Sequence, residues 1–372
     1  MRGITSIELH REITEIRPLI EGSWLRKFYE LGDGTFRISF YKSNAKTTLF
    51  IDLSCTINAT SYQEPSPQAS GFAMGIRKRL KNAKVTAIRQ LSSDRIAEFR
   101  LSTYAGERLL IVELFGKGNL IIADPSTGRI EICYRNFASG SYLIKPGAVY
   151  KPPKAMHDIF SAGENGIKEI LSSAESAEGT SAIQAVSRSI TIGPLYIEEA
   201  LARCGINPRD PFKKNMAGPI SESIYSIFHE AESSSPRIYL SSDGNIKDYA
   251  ICKLSRYAPL QEKQKESLND ILEELSIPER KAKVEAEPKK LVVAKETSLE
   301  TQRKHMEESS ASAQKYREAA SKIYENLQQI NYMFSLIRES RGITAEELGK
   351  SISGIKIIRI DYSKSIVEIE VA

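Results

Sequence analysis

Residues 84–124 read KVTAIRQLSSDRIAEFRLSTYAGERLLIVELFGKGNLIIAD, and the pattern of this stretch decides the fold class. The runs KVTAIRQL, RIAEFRL, RLLIVELF and NLIIAD are of strand length, and RIEICY follows as a fifth. The breaks YAGE, GKG and DPSTG carry the Gly, Pro or Asp that tight turns require. Short apolar runs joined by tight turns form antiparallel neighbours, because a parallel crossover needs a much longer connection. The stretch is therefore a β-meander.

Working outward, the same grammar occurs upstream. WLRKFYEL, TFRISFYK and TTLFIDL are separated by GDG and SNAK, which suits antiparallel hairpins. Each meander is preceded by a helix. The first begins at Thr5, with Glu8 three residues on completing a capping box, Ile7, Ile13, Ile16 and Leu19 as apolar positions, and an end near Gly22. The second, GFAMGIRKRLKNA, repeats Phe72, Ile76 and Leu80 at intervals of four, following a Ser/Pro/Gln-rich loop around QEPSPQAS. Helix plus meander thus occurs twice, a coarse repeat without visible sequence identity.

Beyond residue 155 the chain turns helical. SAIQAVSRSITIGPLYIEEALARCGINP predicts two short helices broken at Gly193-Pro194 and stopped at Gly205, a pattern that suits a helix-hairpin-helix unit. RIYLSSDGNIKDYAICKL reads as a small hairpin. Then Leu299, Gln302, Met306, Ser309, Ala313, Tyr316, Ala320, Ile323, Leu327, Ile330, Phe334 and Ile337 alternate spacings of three and four, a heptad seam. One helix of about 40 residues at 1.5 Å each would span roughly 60 Å. Its expected partner is the helix SLNDILEELSI, reached through the charged, Pro-punctuated link PERKAKVEAEPKK. GIKIIRIDYSKSIVEIEVA predicts a terminal hairpin, marginal unless it packs on something or the natural chain continues beyond Ala372. The expected architecture is a multidomain α+β protein: an antiparallel β-rich domain with flanking helices over 1–155, a helix-hairpin-helix region with a small hairpin over 156–258, an antiparallel coiled-coil arm over 259–345, and a β-hairpin over 346–372.

A chain of 372 residues suits two or three domains and buries a core without disulfides or metals. Its 52 Lys+Arg against 47 Asp+Glu leave +5, which favours a local basic patch over a uniformly basic binder. Four isolated cysteines, with no CxxC, suggest neither zinc nor a disulfide framework and fit reduced cytosolic thiols. Neither a signal peptide nor a run of about 18 apolar residues is evident, so the compartment is read as cytoplasm.

The search for chemistry removes most enzyme classes. The histidines have no partner at ligand or triad spacing, and Walker A, GxGxxG before a helix, GxSxG and HExxH are missing, so no catalytic residue, cofactor or metal is expected. The segment RKRLKNAK places Arg77, Lys78, Arg79, Lys81 and Lys84 within eight residues, with 77, 81 and 84 along one side of the expected helix, in a window from 69 to 93 without an acid. Phosphate-backbone contact is the functional reading and a solvated face the bland one. Asp94 and Arg95 are adjacent at a strand start, where neighbouring side chains point to opposite faces, so each needs its own partner. A turn-forming Asx bond and a surface ion pair would also account for them.

GFAMGIRKRLKNAKVTAIRQLSSDRIAEFRL, LIVELFGKGNLIIAD and YLIKPGAVYKPP, with IGPLYIEEALARCGI and YREAASKIYENLQQI further on, resemble the NFACT family, whose archaeal members are relatives of eukaryotic NEMF and bacterial RqcH and which was formerly labelled fibronectin-binding protein A. The resemblance implies a ribosome-associated quality control factor that binds large ribosomal subunits carrying stalled peptidyl-tRNA and recruits charged tRNA, typically for alanine, for untemplated tailing. Bond making would belong to the ribosome. The family's Asp-Arg motif, required for tRNA engagement, falls on Asp94 and Arg95, and its N-terminal acid, usually Asp, falls on Glu8. An acid and a guanidinium suit unpaired tRNA loops. The family's C-terminal NFACT-R domain has no counterpart after the last hairpin, which implies a piece of a longer chain or a divergent member. Two other classes stay open: a DNA-repair glycosylase, weakened by Arg2 where those enzymes use a proline nucleophile, and a fibronectin-binding adhesin, weakened by the missing secretion signal.

Overall fold

In a computed structural model of the chain, residues 2–140, 142–153, 158–173, 179–340 and 342–371 are described, without the side chains of 287–294 and 371. Helix α1 (Ser6–Ile20) starts as expected: the Thr5 hydroxyl accepts the Glu8 N–H and the Glu8 carboxylate accepts the Thr5 N–H. Ile7, Ile13 and Ile16 are buried; Leu19 is exposed and Ile20 takes its place on the apolar stripe.

The two expected meanders fuse into one nine-stranded antiparallel sheet in the order β4-β3-β2-β1-β5-β6-β7-β8-β9. Its first half is β1 (Trp24–Gly32), β2 (Thr35–Lys42), β3 (Ala45–Asp52) and β4 (Thr56–Ala59). The second half is β5 (Lys84–Gln90), β6 (Ile96–Thr103), β7 (Gly106–Glu113), β8 (Asn119–Ala123) and β9 (Ile130–Cys133). The four-residue β4 is too short to register as a sequence pattern. The halves meet where Trp24 of β1 pairs with Lys84 of β5.

Helix α2 (Gly71–Arg79) is shorter than expected. Leu80 closes it and Asn82 turns the chain at φ +54°, so Lys81 lies in the turn and Lys84 opens a strand. The expectation that residues 77, 81 and 84 share one helix side is corrected accordingly: Asn adopts the left-handed region readily and ends helices there. A small hairpin, β10 (Phe137–Ser139) with β11 (Tyr142–Ile144), follows the sheet. The expected domain boundary at 155/156 lies outside the described residues.

The helical region holds α3 (Ile159–Ser172), α4 (Ala182–Ser189), α5 (Pro194–Arg203) and α6 (Ala217–Ser233). The break between α4 and α5 falls at Gly193, with Pro194 in the first helical turn. The predicted small hairpin gains a strand, giving the order β13 (Ile246–Ala250), β12 (Arg237–Leu240), β14 (Gln261–Gln264).

Helix α7 runs from Leu268 to Glu325, so the expected link PERKAKVEAEPKK is helical and no turn separates SLNDILEELSI from the seam. Glu, Lys, Ala and Arg dominate that link and are good helix formers, and the two prolines read as punctuation lie inside the helix without ending it. The chain divides into two compact units, through Val284 and from Glu285. Within the second unit, Leu299, Met306, Tyr316 and Ile323 of the seam are exposed. The terminal hairpin, β15 (Ile355–Asp361) and β16 (Ile366–Val371), packs as expected: Ile355 joins Ile330 and Met333 of α8 (Leu327–Glu339) and Leu348 of α9 (Ala345–Ser351) in a small core.

One buried group gives a stability prediction. Glu12 of α1 is fully buried, and neither of its carboxylate oxygens has a hydrogen-bond partner among the described residues. Burial, with nearby Glu15 and Asp270, pushes its pKa well above the ordinary 4.5. The fold therefore binds a proton that the unfolded chain releases above pH 4.5, so stability is lost as pH rises through that interval. Glu12→Leu is expected to be about 1–3 kcal/mol more stable than the parent near pH 8 and to flatten the fall in stability above roughly pH 5, read by urea unfolding across pH. A parent whose stability is level from roughly pH 5 to pH 8 would contradict the assignment.

Candidate nucleic-acid interface

The turn between β5 and β6 is held from three sides. The Ser6 hydroxyl of α1 donates to the Ser93 carbonyl at 2.5 Å, the Ser93 hydroxyl accepts the Ile159 N–H at the start of α3 at 2.8 Å, and Gln90 Nε2 donates to the Asp94 carbonyl at 2.7 Å. Ser92 turns the chain at φ +52°. On this fixed platform Asp94 Oδ1 accepts the Arg95 N–H at 2.7 Å. This bond reaches the very next N–H and not the one two residues on, so it is not the Asx turn considered for Asp94; it orients the backbone from which Arg95 departs.

The surface ion pair considered for Arg95 does not form. Its half-buried guanidinium has no hydrogen-bond or ion-pair partner among the described residues. It lines a cleft of about 520 Å³ with Gly3, Thr191, Gly193 and Arg256. Gly3 lies beside the guanidinium: a Cβ there would stand 3.7 Å from Arg95 Nη1, an ordinary contact. Gly193 holds φ +92°, and a Cβ there would sit 2.8 Å from Thr5 Cγ2. Only glycine therefore lets the α5 N-terminus approach α1 so closely. No side chain caps α5 at that end, which leaves its partial positive charge facing the cleft.

The other arginines of the cleft are committed. Arg2 Nε donates to Asp248 at 2.7 Å and Nη1 to Glu8 at 2.8 Å, while Arg256 pairs with Glu198 at 2.6 Å. Chemically the cleft offers one uncommitted guanidinium, a helix N-terminus and two glycines, a combination suited to phosphate and to the edge or face of an unpaired base.

Glu8 requires a correction. Its side chain is fully buried, where it accepts from Arg2, from the Thr5 N–H and from the Tyr196 hydroxyl of α5 at 2.8 Å. It is a structural junction behind the cleft, with its side chain closed to solvent. Gly3 and Arg2 went unmarked as cleft residues; the Gly193-Pro194 break was legible, but its approach to Thr5 was not.

The basic segment separates into two groups. Arg77 Nε donates to the Phe28 carbonyl at 2.9 Å and lies over the Tyr29 ring, and Arg79 pairs with Glu131 at 3.2 Å. The acid-free window therefore misled for Arg79, because its carboxylate arrives from β9. Lys78, Lys81 and Lys84 are exposed, with no carboxylate partner among the described residues.

A long antiparallel sheet carrying a helix before each half, followed by a four-helix region, defines an α+β head domain of a recognisable class. Its fold is similar to the N-terminal part of the fibronectin/fibrinogen-binding protein from Streptococcus suis, with a TM-score of 0.58 at 22% identity, covering 72% of this chain and 97% of that one. The chain belongs to the NFACT family: the family description "NFACT N-terminal and middle domains" matches residues 5–349. Among relatives, the archaeal Rqc2 homolog aRqcH of Methanocaldococcus jannaschii is 26% identical over 300 residues, 77% of this chain and 44% of that protein. Human ribosome quality control complex subunit NEMF is 29% identical over 121 residues, 32% of this chain and 11% of that protein. The chain thus spans less than half the length of these two relatives. No helix among the described residues is long and apolar enough to cross a membrane.

Proposed function

We propose that this chain is a tRNA- and large-ribosomal-subunit-binding factor of ribosome-associated quality control, acting in the cytoplasm. It recruits charged tRNA, alanyl in the first instance, to subunits that hold a stalled peptidyl-tRNA, and the ribosome itself makes the peptide bonds of the untemplated tail. The family and the names of the relatives support the ribosomal setting. The observation that carries the tRNA reading is the uncommitted Arg95 guanidinium in a glycine-lined cleft beside the α5 N-terminus. In this reading α4 and α5 act as a helix-hairpin-helix phosphate contact, Arg95 grips the nucleotide and Asp94 orients it. The exposed seam of α7 takes a helical partner or a ribosomal surface.

The test is affinity capture from cells followed by sequencing of bound RNA, comparing the parent with Asp94→Ala/Arg95→Ala. The expected outcome is loss of tRNA with large-subunit rRNA largely retained. Equal tRNA recovery from both would remove the assigned role of the pair.

A further inference from the structure

The sheet register assembles a second surface, whose lining shares no residue with the Arg95 cleft. Trp24 of β1 pairs with Lys84 of β5, and Lys84 pairs in turn with Ser102 of β6. One row across three strands therefore leads from Trp24 to the β6–β7 turn, where Tyr104 stands fully exposed. Trp24, 42% exposed, has the Lys84 ammonium 6.0 Å from its ring centroid. Around these rings, Arg26, Lys78, Lys81 and Lys84 line a groove of about 890 Å³ that has no acidic residue in its lining. Arg79 also lines it but is neutralised by Glu131, and Arg26 Nη1 only donates to Asn82 Oδ1 at 3.4 Å. Four cations remain without a carboxylate partner among the described residues.

Neither ring is needed by the core, since both lie outside the buried clusters. Like charges gathered without counter-charge repel one another until an anion enters. Two exposed aromatic rings set among cations are the arrangement that holds unpaired bases by stacking while the cations track the phosphates. An acidic protein segment would use the cations and leave the rings idle. Duplex RNA presents no free base faces.

We propose that this groove binds a single-stranded stretch of RNA, with bases stacked on Trp24 and Tyr104 and phosphates against Arg26, Lys78, Lys81 and Lys84. The choice of RNA over DNA rests on the ribosomal reading above; the groove itself is independent of Arg95. Trp24 is the sole tryptophan of the sequence, so its fluorescence reports the site directly.

The experiment titrates the full chain with an A/C oligoribonucleotide of about 12 nucleotides that cannot pair with itself, a length matched to sites of this kind. Trp24 fluorescence is expected to be quenched on binding. The affinity should fall with salt at a log–log slope near −3, about −0.7 for each of four phosphate contacts. Tyr104→Ala should weaken binding about tenfold or more with quenching reduced, and Trp24→Ala/Tyr104→Ala further still by anisotropy. Lys81→Ala/Lys84→Ala should lower the slope by about 1.4. Arg95→Ala should leave the Trp24 quenching unchanged, because that signal reports the groove and not the cleft that Arg95 lines, which separates the two sites. Because these side chains are exposed, the variants should melt with the parent. The proposal is overturned by absent quenching, by equal affinity for the complementary duplex, by polyglutamate competing as well as RNA, or by Arg95→Ala and not the aromatic variants abolishing binding.

Discussion

Glu8→Ala is expected to destabilise the chain by about 3–5 kcal/mol, the range for removing one partner of a buried ion pair. The carboxylate holds together three segments that are distant in sequence: Arg2, the first turn of α1, and Tyr196 of α5. Deleting it removes the reciprocal half of the α1 capping box, the bond from the Thr5 N–H, while the Thr5 hydroxyl still accepts the N–H of residue 8. It also leaves the proton of the buried Tyr196 hydroxyl unmatched, at about 1–3 kcal/mol, although that oxygen still accepts the Ile251 N–H at 3.2 Å. Arg2 loses one of its two carboxylates and keeps Asp248. Glu8→Gln, which preserves shape and most acceptors, should lose much less. Urea unfolding at neutral pH decides the matter, and a loss under about 1 kcal/mol for Glu8→Ala would sink the account. The variant also discriminates between roles, since Glu8→Ala should lower stability and tRNA recovery together, whereas Arg95→Ala should lower tRNA recovery with an unchanged melt.

Glu64→Ala should cost at least as much. Glu64 sits between two buried guanidiniums: it pairs with Arg280 of α7, and Arg37 of β2 lies 3.3 Å away, with all three side chains under 8% exposed. Arg280 also donates to the Thr60 hydroxyl and the Tyr62 carbonyl, each at 2.9 Å, and covers the Phe50 ring at 4.0 Å. Removing the one carboxylate leaves two buried cations in mutual repulsion, and about 3–5 kcal/mol is expected from the broken pair. Replacing all three together, Arg37→Met/Glu64→Leu/Arg280→Met, should be far milder than the single change, because the desolvation of the charges vanishes with them. If the triple variant is worse than Glu64→Ala, the charges themselves are not what sets the cost. The same region zips the start of α7 to β4 and the loop after it, through Asn269 to the Ala59 N–H at 2.6 Å and Glu273 to the Thr60 hydroxyl at 3.1 Å. A weakened triad should therefore release the first turns of α7, visible as faster amide exchange there.

Much of this architecture was legible in residue order. Alternation, turn residues and the Thr5–Glu8 box are local signals, and they placed α1, both meanders, the Gly193-Pro194 break and the terminal hairpin. Local signals also misled: the acid-free window around Arg79 could not reveal Glu131, and the prolines read as punctuation lie inside a continuous helix.

The site shows the same division. The sequence by itself determined that Asp94 and Arg95 stand adjacent at a strand start and that a basic run precedes them, because these are facts of order and spacing. Only the tertiary structure decided that Glu8 turns inward, that Arg95 stays uncommitted, and that Trp24 lies beside Lys84. Whether a charge is spent or free depends on which groups arrive from other parts of the chain, and the register that brings them is set by burial of the whole sheet and not by any short stretch of it.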